Sequence, residues 1–176
     1  IGSYALSADI AGSDYCVAIG HHALMAQDED GLNTAIGGLA GDAIEGGSEN
    51  TYVGYLAGSA SVDVDSNTAL GHMAYAKGTG VANTVIGTLA GSSAGNTGTA
   101  LSGANNVIIG KAAGYNLTDG PGNVLIGKDA GKAMSTSDYN IAIGYQALDS
   151  LTTDSHNNIA IGANALAGQT LQQNAN

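Results

Sequence analysis

Apolar residues recur along this chain at a nearly constant interval, inside a phrase of the form Asn-Thr-Ala-Ile-Gly-x-x-Ala-Gly. Nine copies are present, and Ile1-Gly2 ends a partial tenth copy. Successive phrase glycines lie 16 to 18 residues apart, except for a 23-residue step from Gly87 to Gly110. Helical repeats need about 33 residues or more. The pattern therefore predicts an all-β protein, a parallel β-solenoid of about ten coils with roughly 17-residue repeats and two short strands per coil.

Side chains alternate between the two faces of a strand, so the phrase divides its apolar residues between two columns. The aliphatic residue before the glycine and the residue two positions earlier share one face, which we predict to be the interior. The residue between them points the other way and is apolar too, from Ala18 to Ala160. The predicted structural core is the aliphatic column: Ile19, Ile36, Val53, Leu70, Ile86, Ile109, Ile126, Ile143 and Ile161.

A strand that is apolar on both faces is buried on both faces, and one thin coil buries only one of them. The second apolar column therefore needs a partner, and the simplest partner is another copy of the chain. We predict a closed ring of chains around the rod axis. Replacing Ile126 with Asp is expected to prevent folding, because it would place a charge in the predicted core.

An Asn begins eight of the nine phrases, and Cys16 replaces it in the first. Stacked identical Asn side chains hydrogen-bond along a solenoid and satisfy backbone groups of the turns. We interpret this column as a structural Asn ladder rather than a binding site, and Cys16 as a small substitute. The ladder consists of Asn33, Asn50, Asn67, Asn83, Asn106, Asn123, Asn140 and Asn158.

Composition limits the partners of the chain. It has 176 residues, four Lys, no Arg and a net charge of −11, which argues against a nucleic-acid partner. No stretch is apolar enough for membrane insertion, and one Cys provides no disulfide framework. We predict one solenoid domain over residues 1–168. Residues 169–176 lose the pattern and are expected to be a tail or a linker, as in a segment of a longer fibre.

Few residues suggest chemistry. Short acidic clusters in the variable turns contain Asp28, Asp30, Asp63 and Asp65, which are candidate calcium ligands because Ca²⁺ prefers carboxylate oxygens. The Gly-rich nonapeptide of calcium β-rolls is absent from the sequence. No pair of carboxylates converges in sequence, and the lack of Trp argues against a sugar-cleaving cleft. We predict that the protein is not an enzyme and has no cofactor.

Variation concentrates directly after the glycine and in the turns between phrases, which indicates that these positions face solvent. The longest turn, 92–105, holds the extra residues of the 23-residue step. Such a loop is either a contact site or a tolerated insertion. The candidate receptor contacts are Tyr55, His72, Tyr145, Asn96 and Thr97.

A Thr column invites comparison with ice-binding solenoids, in which regular Thr ranks match a lattice. The column holds Thr34, Thr51, Thr68 and Thr84, but it turns to Val or Ile from Val107 onward. We place this column in the interior with the aliphatic residues. The change from Thr to Val between copies is then a substitution within the core. The sequence therefore disfavours ice binding.

The phrase Asn-Thr-Ala-Ile-Gly-x-x-Ala and its copy over 140–148 resemble repeats of bacteriophage tail-fibre proteins, especially those that end in an endosialidase-type chaperone domain. They are also similar to the shorter-period head repeats of trimeric autotransporter adhesins. The resemblance spans residues 1 to about 166. It implies a homotrimeric fibre, intertwined or side by side, displayed on a virion or outside the cell and attached to a host surface. The period near 17 favours the tail-fibre branch.

Together these features predict an adhesive or structural fibre segment that mediates or supports attachment to a host cell surface. The expected partners are further copies of the chain and a host glycan or surface protein. The main alternative is a purely structural spacer or surface filament subunit without a ligand. A polysaccharide depolymerase and an ice-binding solenoid are lesser alternatives.

Overall fold

The computed structural model describes residues 1–8, 15–28, 31–92, 100–151 and 155–168, and these residues form a parallel β-solenoid of about eight turns. Each three-residue strand pairs in parallel with the next strand along the chain, which gives one nine-stranded sheet. The predicted fold class is confirmed. The strands are β1 (Val17–Ile19), β2 (Thr34–Ile36), β3 (Thr51–Val53), β4 (Thr68–Leu70), β5 (Thr84–Ile86), β6 (Val107–Ile109), β7 (Val124–Ile126), β8 (Ile141–Ile143) and β9 (Ile159–Ile161).

Equivalent residues of successive phrases stack directly on one another. Ala35 pairs with Tyr52, and the same register holds from β1 to β9. The partial copy at the start joins the stack, since the Gly20 amide donates to the Ile1 carbonyl at 2.7 Å. The prediction of two strands per coil is wrong for the described residues. The remainder of each coil consists of turns, with an isolated parallel bridge between Gly78 and Leu101.

The turn after each strand has a fixed backbone conformation. The phrase glycine has a φ between 121° and 138°, and the second residue after it is left-handed in every copy, as in Leu39 at 58° and Asp129 at 59°. The next residue is Ala, which the sequence places at a sharp turn. From Ala23 to Ala147 this Ala is completely buried in every coil. The small side chain fits because the two walls of the coil meet there.

The solenoid interior is lined by the middle residue of each strand and not by the aliphatic column. Ala35, Tyr52 and Leu125 are completely buried. The aliphatic residues that were predicted to form the core lie on the outside of the sheet. The exposed fraction of the most exposed among them ranges from 37% at Ile36 to 67% at Ile161. The predicted assignment of the two faces is therefore wrong. The corrected positions are Ile19, Ile36, Val53, Leu70, Ile86, Ile109, Ile126, Ile143 and Ile161.

Side-chain volumes inside the coil compensate one another. Where the middle strand residue is large, the fourth residue after the phrase glycine is Gly, and a Cβ at Gly58 would lie 2.5 Å from the Tyr52 ring. Where the middle residue is Ala69, that fourth position is the buried Tyr75. Tight packing makes such compensation necessary, since a narrow interior tolerates neither voids nor overlap. A thin coil can therefore close around its own core.

Candidate binding surfaces

The outer face of the sheet consists of the first and third residues of the nine strands, eighteen side chains in all. Every one of them is Thr, Val, Ile or Leu. They are half-buried or exposed, with Leu70 at 46% and Ile159 at 63%. Parallel sheets usually have both faces covered, so an apolar outer face of this extent is typical of an interaction surface.

The Thr column lies on this outer face and not in the interior. Thr34 and Thr84 are half-buried, and Thr51 and Thr68 are exposed. The expectation that Thr is exchanged for Val within a core is therefore wrong, because the exchange occurs on a surface. The argument against ice binding, which placed the Thr column in the core, therefore no longer applies.

The Asn ladder is present inside the coil. From Asn50 to Asn158, the backbone amide of each Asn donates to the Oδ1 of the Asn one coil earlier, at 2.8 to 3.0 Å. The side-chain amide caps turn carbonyls, as between Asn123 Nδ2 and Ser137 O at 2.9 Å. Cys16 occupies the same column and donates from Sγ to the Gly31 carbonyl. These hydrogen bonds form the Asn ladder that the sequence predicts along the rod.

Replacing Asn123 with Ala should lower the free energy of unfolding by about 3 kcal/mol, because several buried groups lose their partners together. The Asn140 amide would lose its acceptor, and the Ser137 carbonyl would lose its donor. Urea unfolding followed by circular dichroism measures the change. Asn158→Ala is the control and should cost about 1 kcal/mol, because Asn158 Oδ1 accepts from no described donor. Equal losses for the two variants would contradict the ladder as a chain of coupled rungs.

The structure brings together two of the candidate receptor contacts. The rings of Tyr55 and His72 stack on adjacent coils, with centroids 5.7 Å apart and an interplanar angle of 18°. Tyr145 lies on the coil of β8. Lys128, on the preceding coil, places its Nζ 5.1 Å from the centroid of the Tyr145 ring. Asn96 and Thr97 lie outside the described residues. Exposed rings on a regular flank are suited to contact apolar sugar faces or other side chains.

The acidic residues mainly support the turns. Asp65 Oδ1 accepts from the amide and the hydroxyl of Ser48 at 2.8 and 3.0 Å, and Asp63 Oδ1 accepts from the Gly46 amide at 3.1 Å. Asp28 and Asp63 line a cleft of about 410 Å³ together with Glu45. Within the described residues, no group of three or more His, Cys, Asp or Glu side chains is arranged to hold a metal ion.

Asp30 lies outside the described residues, so one of the candidate calcium ligands has no described position.

Sequence reasoning overlooked a cluster of lysines. Lys111 and Lys128 directly follow the phrase glycines of adjacent coils, and Lys132 lies five residues after the second of these glycines. All three line one cleft, together with Asp129 and Tyr115. The available signal was the concentration of three of the four lysines of the chain within one stretch of 22 residues.

Comparisons with known proteins identify no relative: no protein-family model, no curated protein and no solved structure matches this chain. In the described part of the chain, a search for a helix long and apolar enough to cross a bilayer finds none.

Proposed function

We propose that the chain is a segment of a homotrimeric fibre, a phage tail fibre or an extracellular surface adhesin, that supports attachment to a host cell. The observation that carries the proposal is the outer face, on which the last residue of every strand is aliphatic along the full length of the nine-stranded sheet. An apolar strip of this kind on a protein surface favours association. Its occupant is a second and a third copy of the same chain.

The size of the outer face supports self-association. Covering its eighteen side chains would remove on the order of 1,000 Å² per chain from water. In a trimer each chain shares this area between two neighbours, so each of the three interfaces buries on the order of 1,000 Å² in total, which reaches the size of about 1,000 Å² expected of a specific interface.

The geometry of the stack favours a ring of parallel chains. Strands repeat along the rod at about 4.8 Å, so the outer face is roughly 38 Å long. Rods related by rotation about an axis parallel to their length place the same coil of each chain at the same height. Residues of the outer face then meet outer-face residues of the same coil in the neighbouring chains, and such head-to-tail contacts close into a ring. The number three rests on the resemblance to trimeric fibre repeats.

Light scattering after size exclusion tests this proposal. We expect a mass near three chains of 17.2 kDa, or about 52 kDa. Burial of the outer face in the trimer is the physical reason. A monomer would overturn the proposal, and a large polydisperse mass would instead indicate a filament subunit that stacks end to end.

Ice binding is the second candidate, because Thr34, Thr51, Thr68 and Thr84 form a rank on the outer face beside aliphatic residues. The rank covers four of the nine strands, whereas the apolar character extends over all nine, which favours association between chains. Thermal hysteresis of the purified protein distinguishes the two. Ice shaping by a monomer would support this candidate, and its absence in a trimer would remove it.

Attachment and a purely structural role differ in whether the flank binds a ligand. The positions after the phrase glycines face solvent and include aromatic and charged residues, namely Tyr55, His72 and Lys128. A trimer presents each of them three times, so weak contacts add up to avidity. Binding to host-surface glycans on an array would support the adhesive role. A trimer that binds no glycan and no host cell would be a spacer.

A further inference from the structure

We propose that the cleft lined by Lys111, Lys128 and Lys132 binds a sugar unit that carries a single carboxylate. The cleft has a volume of about 390 Å³, within the range of ligand-binding sites in proteins. This inference deepens the proposed attachment role by naming a ligand class. The cleft belongs entirely to one chain, so its test does not depend on the oligomeric state.

The repeat itself explains how the cleft opens. The second residue after the phrase glycine is a half-buried Leu or Met in four consecutive coils, from Leu39 to Leu89. In the next coil this residue is Ala112, and Ala112 forms part of the floor beside Leu89. Truncation from Leu to Ala removes a ridge from the surface. The coils keep their register there, since the Ala112 amide donates to the Thr88 carbonyl at 3.0 Å.

Two rows of side chains border this floor. Lys111 and Lys128 stand on adjacent coils at the position directly after the glycine, and Tyr115 and Lys132 stand on the same two coils four residues further on. Lys111 makes no ion pair with any described residue and is exposed, so its ammonium group is available to an anion. The half-buried Tyr115 offers an aromatic face and a hydroxyl group, as sugar sites require.

Asp129 holds the other two lysines in place. The Asp129 side chain is 7% exposed, and its carboxylate accepts from Lys128 Nζ and, at 3.3 Å, from Lys132 Nζ. Although partial burial raises the pKa of Asp129, the hydrogen bonds from Lys128 and Lys132 outweigh it and keep this pKa below its usual range. Asp129 occupies the position where earlier coils have Leu or Met. A carboxylate there serves to orient two ammonium groups towards the cleft.

Charge distribution selects the ligand class. The cluster carries three positive charges and one negative charge within a chain of net charge −11. A single carboxylate gains from the local positive potential, whereas a long polyanion is repelled by the remainder of the surface. The Lys ammonium group is a compact point charge with three donors, and it pairs well with a carboxylate. The apolar floor of Leu89 and Ala112 is suited to the C–H face of a sugar ring.

Titration of the isotope-labelled protein with methyl β-D-glucuronide tests the inference, with amide shifts around Ala112 as the readout. We expect saturable binding at millimolar concentration, and no saturable shift with methyl β-D-glucoside, which lacks the carboxylate. Acetate at the same concentration should produce much smaller shifts. Equal binding of the neutral sugar, equal effects of acetate, or no shift with the glucuronide would each overturn the proposal.

Three variants locate the site. Lys111→Gln should weaken binding about tenfold through loss of one charge-assisted interaction. Ala112→Leu should abolish binding by restoring the ridge, and it should fold because Leu occupies this left-handed position in other coils. Lys77→Gln is the control: it removes the same charge from the one lysine outside the cleft and should leave binding unchanged. Equal weakening by Lys77→Gln and Lys111→Gln would overturn the proposal.

The outcomes separate this inference from the proposed fibre. A trimer that does not bind the glucuronide would remove the cleft and leave the fibre intact. A monomer that binds the glucuronide would remove the fibre and leave the cleft intact.

Discussion

Replacing Gly127 with Ala should lower the free energy of unfolding by about 4 kcal/mol or more, which places it among the most harmful single substitutions. Two effects act together. The φ of Gly127 is +133°, a conformation that L side chains rarely adopt, and a Cβ would lie 2.4 Å from the Gly144 carbonyl oxygen of the next coil. That oxygen is backbone, so only a displacement of the coils would relieve the overlap. Thermal and urea unfolding measure the loss.

Gly162→Ala is the matched control for this prediction. Gly162 has a similar φ of +121°, but no described atom lies within 4 Å of the place that a Cβ would occupy.

The control therefore carries the backbone strain without the overlap, and we expect a cost of about 1–3 kcal/mol. If both variants lose the same stability, the close approach of successive coils contributes nothing and the prediction fails.

Replacing Leu125 with Asp should prevent folding, whereas Ile126→Asp should leave a folded monomer. Leu125 is completely buried inside the coil, where an unpaired carboxylate would lose its hydration without compensation. Ile126 is its neighbour in β7 but belongs to the outer face and is half-buried in the single chain. A charge there is compatible with the coil and incompatible with an apolar interface between chains.

Circular dichroism and light scattering separate these outcomes. For Ile126→Asp we expect the native β spectrum with the mass of one chain, and for Leu125→Asp the spectrum of an unfolded chain. Loss of the β spectrum in both variants would show that the aliphatic column is required for the folding of each chain. A trimer of unchanged mass for Ile126→Asp would show that the outer face is not the interface. Ile126→Val is the conservative control and should remain trimeric.

The period of the phrase was sufficient to predict the solenoid and its register. Parallel stacking places each residue on its equivalent one repeat later, so the spacing of 17 between Ala35 and Tyr52 already specifies their pairing. The Asn ladder was predictable for the same reason, because a column of identical side chains can satisfy itself by translation along the rod. These features depend only on the repeat length and the identity of the repeated residue.

The inside and the outside of the coil were not predictable from alternation alone. Both strand columns are apolar, so a period of two does not distinguish them. Comparison of the strand column with the position four residues after the glycine would have revealed the core, since Tyr52 is matched by Gly58 and Ala69 by Tyr75. Only residues that share an interior need such compensation of volume.

The sequence by itself determined the coil repeat, the strand register, the Asn ladder and the scarcity of positive charge, because each is a property of spacing or composition. The tertiary structure alone decided which apolar column faces solvent and how three lysines meet at one cleft. The left-handed residues of the turn set the direction in which the chain leaves each strand. That direction determines which face of the strand points inwards and brings Lys111, Tyr115 and Lys132 to one surface.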